Sequence, residues 1–174
     1  GRALDSGCDT FQIFSRNPRG WKAKDLDPDV AGAFRRALDA SGIGPAVDHM
    51  PYLPNLASPD DAIYEKSVAA LTDELRRCEV LGIPYLVTHL GHHRGAGTGT
   101  GQERVVAAIN RALEEAGAQG VMLLLENTAG EKNSVGSTVA DLCRIFEGID
   151  GEERIGICFD TCHAFAAGYD LRTG

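Results

Sequence analysis

The stretch IGICFDTCHAF, residues 155–165, decides the reading of the fold. Its apolar run, Ile155–Asp160, closes on an acidic side chain, and His163 follows three residues later. A short, mostly apolar run of this kind suits a parallel strand covered on both faces. Four more precede it: Thr10–Phe14 (TFQIF), Pro45–His49 (PAVDH), Pro84–His89 (PYLVTH) and Val121–Glu126 (VMLLLE). Their last residues, Phe14, His49, His89, Glu126 and Asp160, are spaced by 35, 40, 37 and 34 positions. A steady period of this size is a βα repeat.

Helical patterns fill the intervals. Pro28–Ala40 follows Asp27, an N-cap type with proline at the first helical position. Pro59–Leu81 follows Ser58 and carries apolar residues at Val68, Leu71, Leu75 and Cys78. Gln102–Ala116 and Thr138–Phe146 complete the set, the latter with Ser137 as its expected cap. Gly42, Gly82, Gly117 and Gly148 stand just past the helix ends. His92–Gly101 (HHRGAGTGTG) reads as one long loop with both histidines in solvent, Trp21 as a core or loop anchor, and Met50 as packing.

Two architectures share the period, an open doubly wound sheet and a (β/α)₈ barrel. Four consecutive strands finish on metal-competent side chains: His49, His89, Glu126 and Asp160. A barrel converges them on one axis, whereas a flat sheet spreads four adjacent ends over roughly 15 Å. No nucleotide-binding glycine motif follows any strand. The expected fold is therefore α/β, a TIM barrel, with residues 1–174 forming a single, incomplete domain of about five strands. Eight units at this period need about 280 residues. One βα unit is expected to be missing at the start and two or more at the end.

Composition narrows the function. Of 174 residues, 43% are hydrophobic and 24% charged, as in soluble globular proteins. No apolar run approaches the ~18–20 residues of a membrane span, and no signal-peptide pattern opens the chain, so a cytoplasmic location is expected. Five scattered cysteines point to reduced thiols. The net charge of −8 argues against a broadly basic nucleic-acid binder but permits one local DNA-facing surface to which bound ions add positive charge. His, Glu and Asp without a thiolate pattern suit Zn²⁺, Mn²⁺ or Fe²⁺. A carboxylate such as Glu126 can bridge paired ions ~3.5–4 Å apart, an arrangement suited to phosphoester hydrolysis. One such residue at a strand end is ordinarily a cap; four in register, with His163 beyond them, point to a site.

Several longer stretches carry a resemblance. FDTCHAFAAGYDLRT (Phe159–Thr173) and LLLENTAGEKNSVGS (Leu123–Ser137) resemble the endonuclease IV family of apurinic/apyrimidinic endonucleases, or deoxyribonuclease IV. FSRNPRGW (Phe14–Trp21), HMPYLPNLASPD (His49–Asp60) and THLGHH (Thr88–His93) fit the same family in the same order. The resemblance implies a three-zinc (β/α)₈ barrel that repairs DNA by cutting the phosphodiester 5′ to abasic sites in duplex DNA with a multi-zinc-activated hydroxide. It implies a monomer when full length and no membrane partner. It implies that His49, His89 and Glu126 hold one zinc. Glu126, catalytic through its bridging role, reaches a second zinc that Asp160 also holds, and His163 holds the third. Arg19, Tyr52 and Leu53 match the family's DNA-penetrating loops, which help expose the abasic nucleotide. The family draws further ligands from later strands. One complete set, His49, His89 and Glu126, is thus expected here, and the chain alone is expected to be inactive. Two alternatives remain: a divalent-metal sugar isomerase or epimerase on a xylose-isomerase-like barrel, and a non-catalytic metal- or DNA-binding fragment. Two histidines on one ion and the Arg19 and Tyr52 loops weigh against the sugar enzyme.

Overall fold

The computed structural model describes residues 1–172; Thr173, the last residue of the Phe159–Thr173 stretch, and Gly174 lie outside the described residues. Strands β1 (Phe11–Ile13), β2 (Ala46–His49), β3 (Tyr85–Thr88), β4 (Met122–Glu126) and β5 (Ile155–Cys158) form one parallel sheet in the order β1-β2-β3-β4-β5. Helices α1 (Arg2–Asp5), α2 (Pro28–Ser41), α3 (Asp61–Leu81), α4 (Thr98–Ala116), α5 (Val139–Glu147) and α6 (Thr161–Ala166) alternate with them, and a 3₁₀ turn, Glu152–Arg154, leads into β5.

The order of the strands settles the architecture. Right-handed crossovers in an unbroken sequential order put every connecting helix on one side of the sheet. Accordingly α2 packs on α3, α3 on α4, and α4 on α5. A doubly wound sheet reverses its order partway and covers both faces. The five strands are an arc of a TIM barrel, as the convergence of strand ends led one to expect.

Alternation along each strand sorts the side chains. Leu86, Leu123 and Leu125 are fully buried in one core with Val68, Leu71 and Leu75 of α3 and Ile109 of α4. Val47, Tyr85, Met122 and Leu124, on the opposite face, are half-buried. Gly156 makes room on that face. A Cβ there would stand 2.7 Å from Leu124 Cδ2 and 3.2 Å from Met122 Sδ.

Helix boundaries differ from expectation for local reasons. Asp60, not Ser58, caps α3: its carboxylate accepts the Ile63 N–H at 3.0 Å, while Ser58 is buried and its hydroxyl accepts the Asp60 N–H at 3.2 Å. Thr138 rather than Ser137 caps α5, accepting the Asp141 N–H at 3.1 Å. The glycine-rich loop is shorter than it reads, because α4 begins at Thr98. Gly101 lets that first turn seat closely, since a Cβ there would lie 2.9 Å from the His93 Cβ. Asp27 caps α2 as anticipated, and all five cysteines are free thiols.

A buried polar layer joins the segment after β1 to α3. Ser15 donates its hydroxyl to Glu74, and Arg16 pairs with Glu74 and, at 3.3 Å, with Asp73. Arg77 donates to the carbonyls of Ser15 at 2.6 Å and Lys24 at 3.1 Å. Burial pushes the Glu74 carboxyl up to about 7, against the lowering effect of Ser15 and Arg16. Its value in an unfolded chain is about 4.3. A carboxyl that binds its proton more tightly when folded adds stability that is complete below the unfolded value and is lost as pH rises through the folded one. Urea-unfolding free energies from about pH 4.5 to 7.5 should therefore show a falling component in the wild type that Glu74→Gln removes.

Candidate metal centre

The parallel register sets the ends of β2, β3 and β4 side by side. Alternation turns His49, Glu126 and His89, which directly follows β3, toward the half-open face. Glu126 is 5% exposed and collects its neighbours there. His49 Nε2 lies 3.2 Å and His89 Nε2 3.3 Å from the same oxygen, Glu126 Oε2. His163 Nδ1 lies 3.6 Å from Glu126 Oε1 and 3.8 Å from Asp160 Oδ2. The three imidazoles follow one another around the mouth, with centroids 5.2 Å apart for His49–His89 and 5.7 Å for His89–His163.

Asp160 serves two elements. It caps α6, its Oδ1 accepting the His163 N–H at 2.7 Å, which leaves Oδ2 free for the site. The short helix α6, which Asp160 caps, is what brings His163 back over Glu126. As a result, two triads, His49–His89–Glu126 and Glu126–Asp160–His163, each have candidate ligand atoms within 4.8 Å of one another. His49, His89 and Glu126 are the set expected to be complete; His163, expected to hold a further ion, stands beside Glu126 and Asp160.

The donor atoms themselves fit a cation. His49 Nδ1 is 2.7 Å from the Met50 carbonyl, which can only accept, so Nδ1 carries the proton. In the neutral ring, Nε2 then turns a lone pair toward a carboxylate oxygen, an arrangement that needs positive charge between the two atoms. Burial opposes charging His49, yet the Glu126 hydrogen bond, the Met50 carbonyl and the Glu126 and Asp48 charges together raise its pKa. For His89 burial dominates and lowers the pKa despite Glu126. Imidazole nitrogens around a buried carboxylate are a donor set that suits zinc.

The rim carries the residues matched to DNA contacts. Tyr52 is 61% exposed, with its ring centroid 6.2 Å from that of His49 and 6.5 Å from that of His89. Its backbone N–H donates to the Pro18 carbonyl at 3.0 Å, tying the loop with Arg19 to the loop with Tyr52 and Leu53. Arg19 and Leu53 are both exposed. A cleft of about 100 Å³ opens between Tyr52, His89, His92, Glu131 and His163. Trp21, read as an anchor, is 39% exposed and stands outside the core. Arg16 and Arg77 also hold the adjacent loop, donating to the carbonyls of Ala70 and Lys24.

Two supporting residues escaped the sequence reading. Asp48 is fully buried, and its Oδ1 accepts the backbone N–H groups of both Ser15 and His49 at 2.9 Å. Its signal was an acid inside an apolar strand. Asn55 pairs with His92 of the next loop, Oδ1 accepting the His92 N–H at 2.8 Å and Nδ2 donating to the His92 carbonyl at 3.0 Å. Nothing local announces a partner so distant in the chain. Gly91 makes the pairing possible: its φ is +94°, and a Cβ would fall 2.1 Å from Asn55 Oδ1. Gly91→Ala should lower the urea-unfolding free energy by about 1–3 kcal/mol, from left-handed backbone strain and displacement of the Asn55 amide.

Comparison with known proteins finds similarity along nearly the whole chain. The family described as Xylose isomerase-like TIM barrel matches residues 1–173. A protein named Probable endonuclease 4 from Methanoculleus marisnigri is 82% identical over 99% of the chain and 61% of its own length. The chain thus spans about three fifths of that relative. The crystal structure of endonuclease IV from Thermus thermophilus superposes with a TM-score of 0.85 at 40% identity, over 97% of this chain and 58% of that one. A D-tagatose 3-epimerase-like protein, 21% identical, shares the fold with a TM-score of 0.77, over 94% of this chain and 60% of that one.

Proposed function

Since the chain belongs to the xylose isomerase-like TIM barrel family, we propose that it carries the metal-holding part of a DNA-repair endonuclease that hydrolyses the phosphodiester 5′ to abasic sites in duplex DNA. The observation that carries this reading is the sharing of Glu126 between two triads. A buried carboxylate with one oxygen facing His49 Nε2 and His89 Nε2, and the other turned toward the turn that carries Asp160 and His163, is suited to bridge two ions. The similarity to proteins named endonuclease 4 and endonuclease IV supports the same class of enzyme.

Each residue then has a defined task. His49 and His89, each through Nε2, would hold metal together with Glu126, and Asp160 and His163 would add further ligands. Zinc, when bound there, supplies an activated water and positive charge opposite the phosphate. Arg19 meets backbone phosphate, while Tyr52 and Leu53 enter the duplex beside the lesion. An abasic nucleotide is extruded at lower cost than an intact pair, so this rim selects damage through deformation as well as contact. The protein acts as a single-domain monomer in the cytoplasm, and the chain alone, which spans about three fifths of its relative's length, is inactive.

The test replaces the matching region of the Methanoculleus marisnigri relative with this chain and assays a duplex containing one tetrahydrofuran abasic analogue. The chimera should nick 5′ to the lesion, lose activity in EDTA and regain it with Zn²⁺. Glu126→Gln should lower the nicking rate by about 10³-fold, the equivalent of a metal contribution of several kcal/mol. The isolated chain should not cut. A folded chimera that holds zinc and leaves the duplex intact would overturn the nuclease reading and favour the sugar-epimerase alternative.

A further inference from the structure

We propose that Asn127 is the positioning residue of the Asp160–His163 turn. It stands one residue past the end of β4 and is 5% exposed. Backbone pairing between β4 and β5 runs out at Glu126 and Cys158, followed by a long contact of 3.4 Å from the Asn127 N–H to the Cys158 carbonyl. The Asn127 side chain takes over there. Its Oδ1 accepts the Asp160 N–H at 2.6 Å, and its Nδ2 donates to the Asp160 carbonyl at 3.0 Å.

A carboxamide presents one acceptor and one donor side by side, as a peptide group does. Asn127 thereby stands in for a strand residue and continues the sheet by one step, to the position where the chain must leave it. Fixing both backbone groups of Asp160 fixes where its carboxylate can point and where α6 begins. The Asn127 backbone completes the hold, its carbonyl lying 2.9 Å from His163 Nδ1. Because that carbonyl can only accept, Nδ1 carries the proton and Nε2 is left as the free ligand atom. The same device recurs at Asn55, whose amide grips both backbone groups of His92. Two uses of one geometry on one rim mark it as a built feature.

The hold itself is a property of the metal-free chain, and only its consequence for zinc rests on the metal reading above. Two variants separate its parts. Asn127→Leu keeps the shape and loses both hydrogen bonds; Asn127→Asp keeps the acceptor for the Asp160 N–H and loses the donor. Amide hydrogen exchange of the EDTA-treated chain should show Asp160 exchanging roughly tenfold faster in Asn127→Leu, with Leu86 and Leu123 unchanged. In Asn127→Asp the Asp160 amide should stay near its wild-type rate. Zinc affinity, read by competition with a chromophoric chelator, should fall about 10–100-fold in Asn127→Leu. Unchanged Asp160 exchange in Asn127→Leu, or equal acceleration at Leu86, Leu123 and Asp160, would overturn the proposal. A wild-type chain that takes up no zinc would sink the metal reading instead, and the exchange comparison would still decide the role of Asn127.

Discussion

Everything at the mouth of this sheet is arranged around one buried carboxylate. Glu126 has little water around it and three imidazoles within reach, from the ends of β2 and β3 and from α6. A carboxylate in that position is costly unless positive charge accompanies it. The surrounding structure is organised to supply that charge. His49 is oriented by the Met50 carbonyl, His163 by the Asn127 carbonyl, and both rings are aimed from the backbone rather than left to rotate. Glu126 is the member shared by both groups of candidate ligands.

The sheet makes this convergence possible because its strands are added strictly in order. Each crossover returns on the helical side, so the strand ends are left clear on one edge and the loops crowd there together. The division of labour follows from alternation. Residues facing the helices, such as Leu123 and Leu125, form the apolar core, while the intervening positions end in Glu126. Asp48 breaks that rule on the helical side. It is buried there only because two backbone N–H groups meet its carboxylate.

Much of this was legible in the sequence. The βα period depends on chain length per unit, and the strand ends depend on where apolar runs meet a polar residue, so both are local properties that survive without coordinates. His49, His89, Glu126 and Asp160 stood out for that reason, and with His163 they fall into two groups whose candidate ligand atoms lie within 4.8 Å of one another. Details requiring backbone angles were not legible. Ser58 and Asp60 are equally good cap types, and only the turn geometry selects Asp60. The grouping of His163 with Glu126 needed the helix α6, which is too short to leave a periodic signature. Asn55 and Gly91 were invisible because their meaning lies in each other, across two loops.

The clamps around the rim also bear on how such a barrel can change over evolutionary time. Barrel enzymes are often pictured as a fixed frame with interchangeable loops, each free to diversify separately. Here the loop after β1 leans on the one after β2 through Pro18 and Tyr52, the next is gripped by Asn55 at His92, and His93 hydrogen-bonds the Asn133 carbonyl at 2.9 Å. Inheritance at this mouth is therefore collective. A loop transplanted alone arrives without the neighbour that shapes it, so viable novelty comes from exchanging adjacent loops as blocks, each bringing its own half of a handshake.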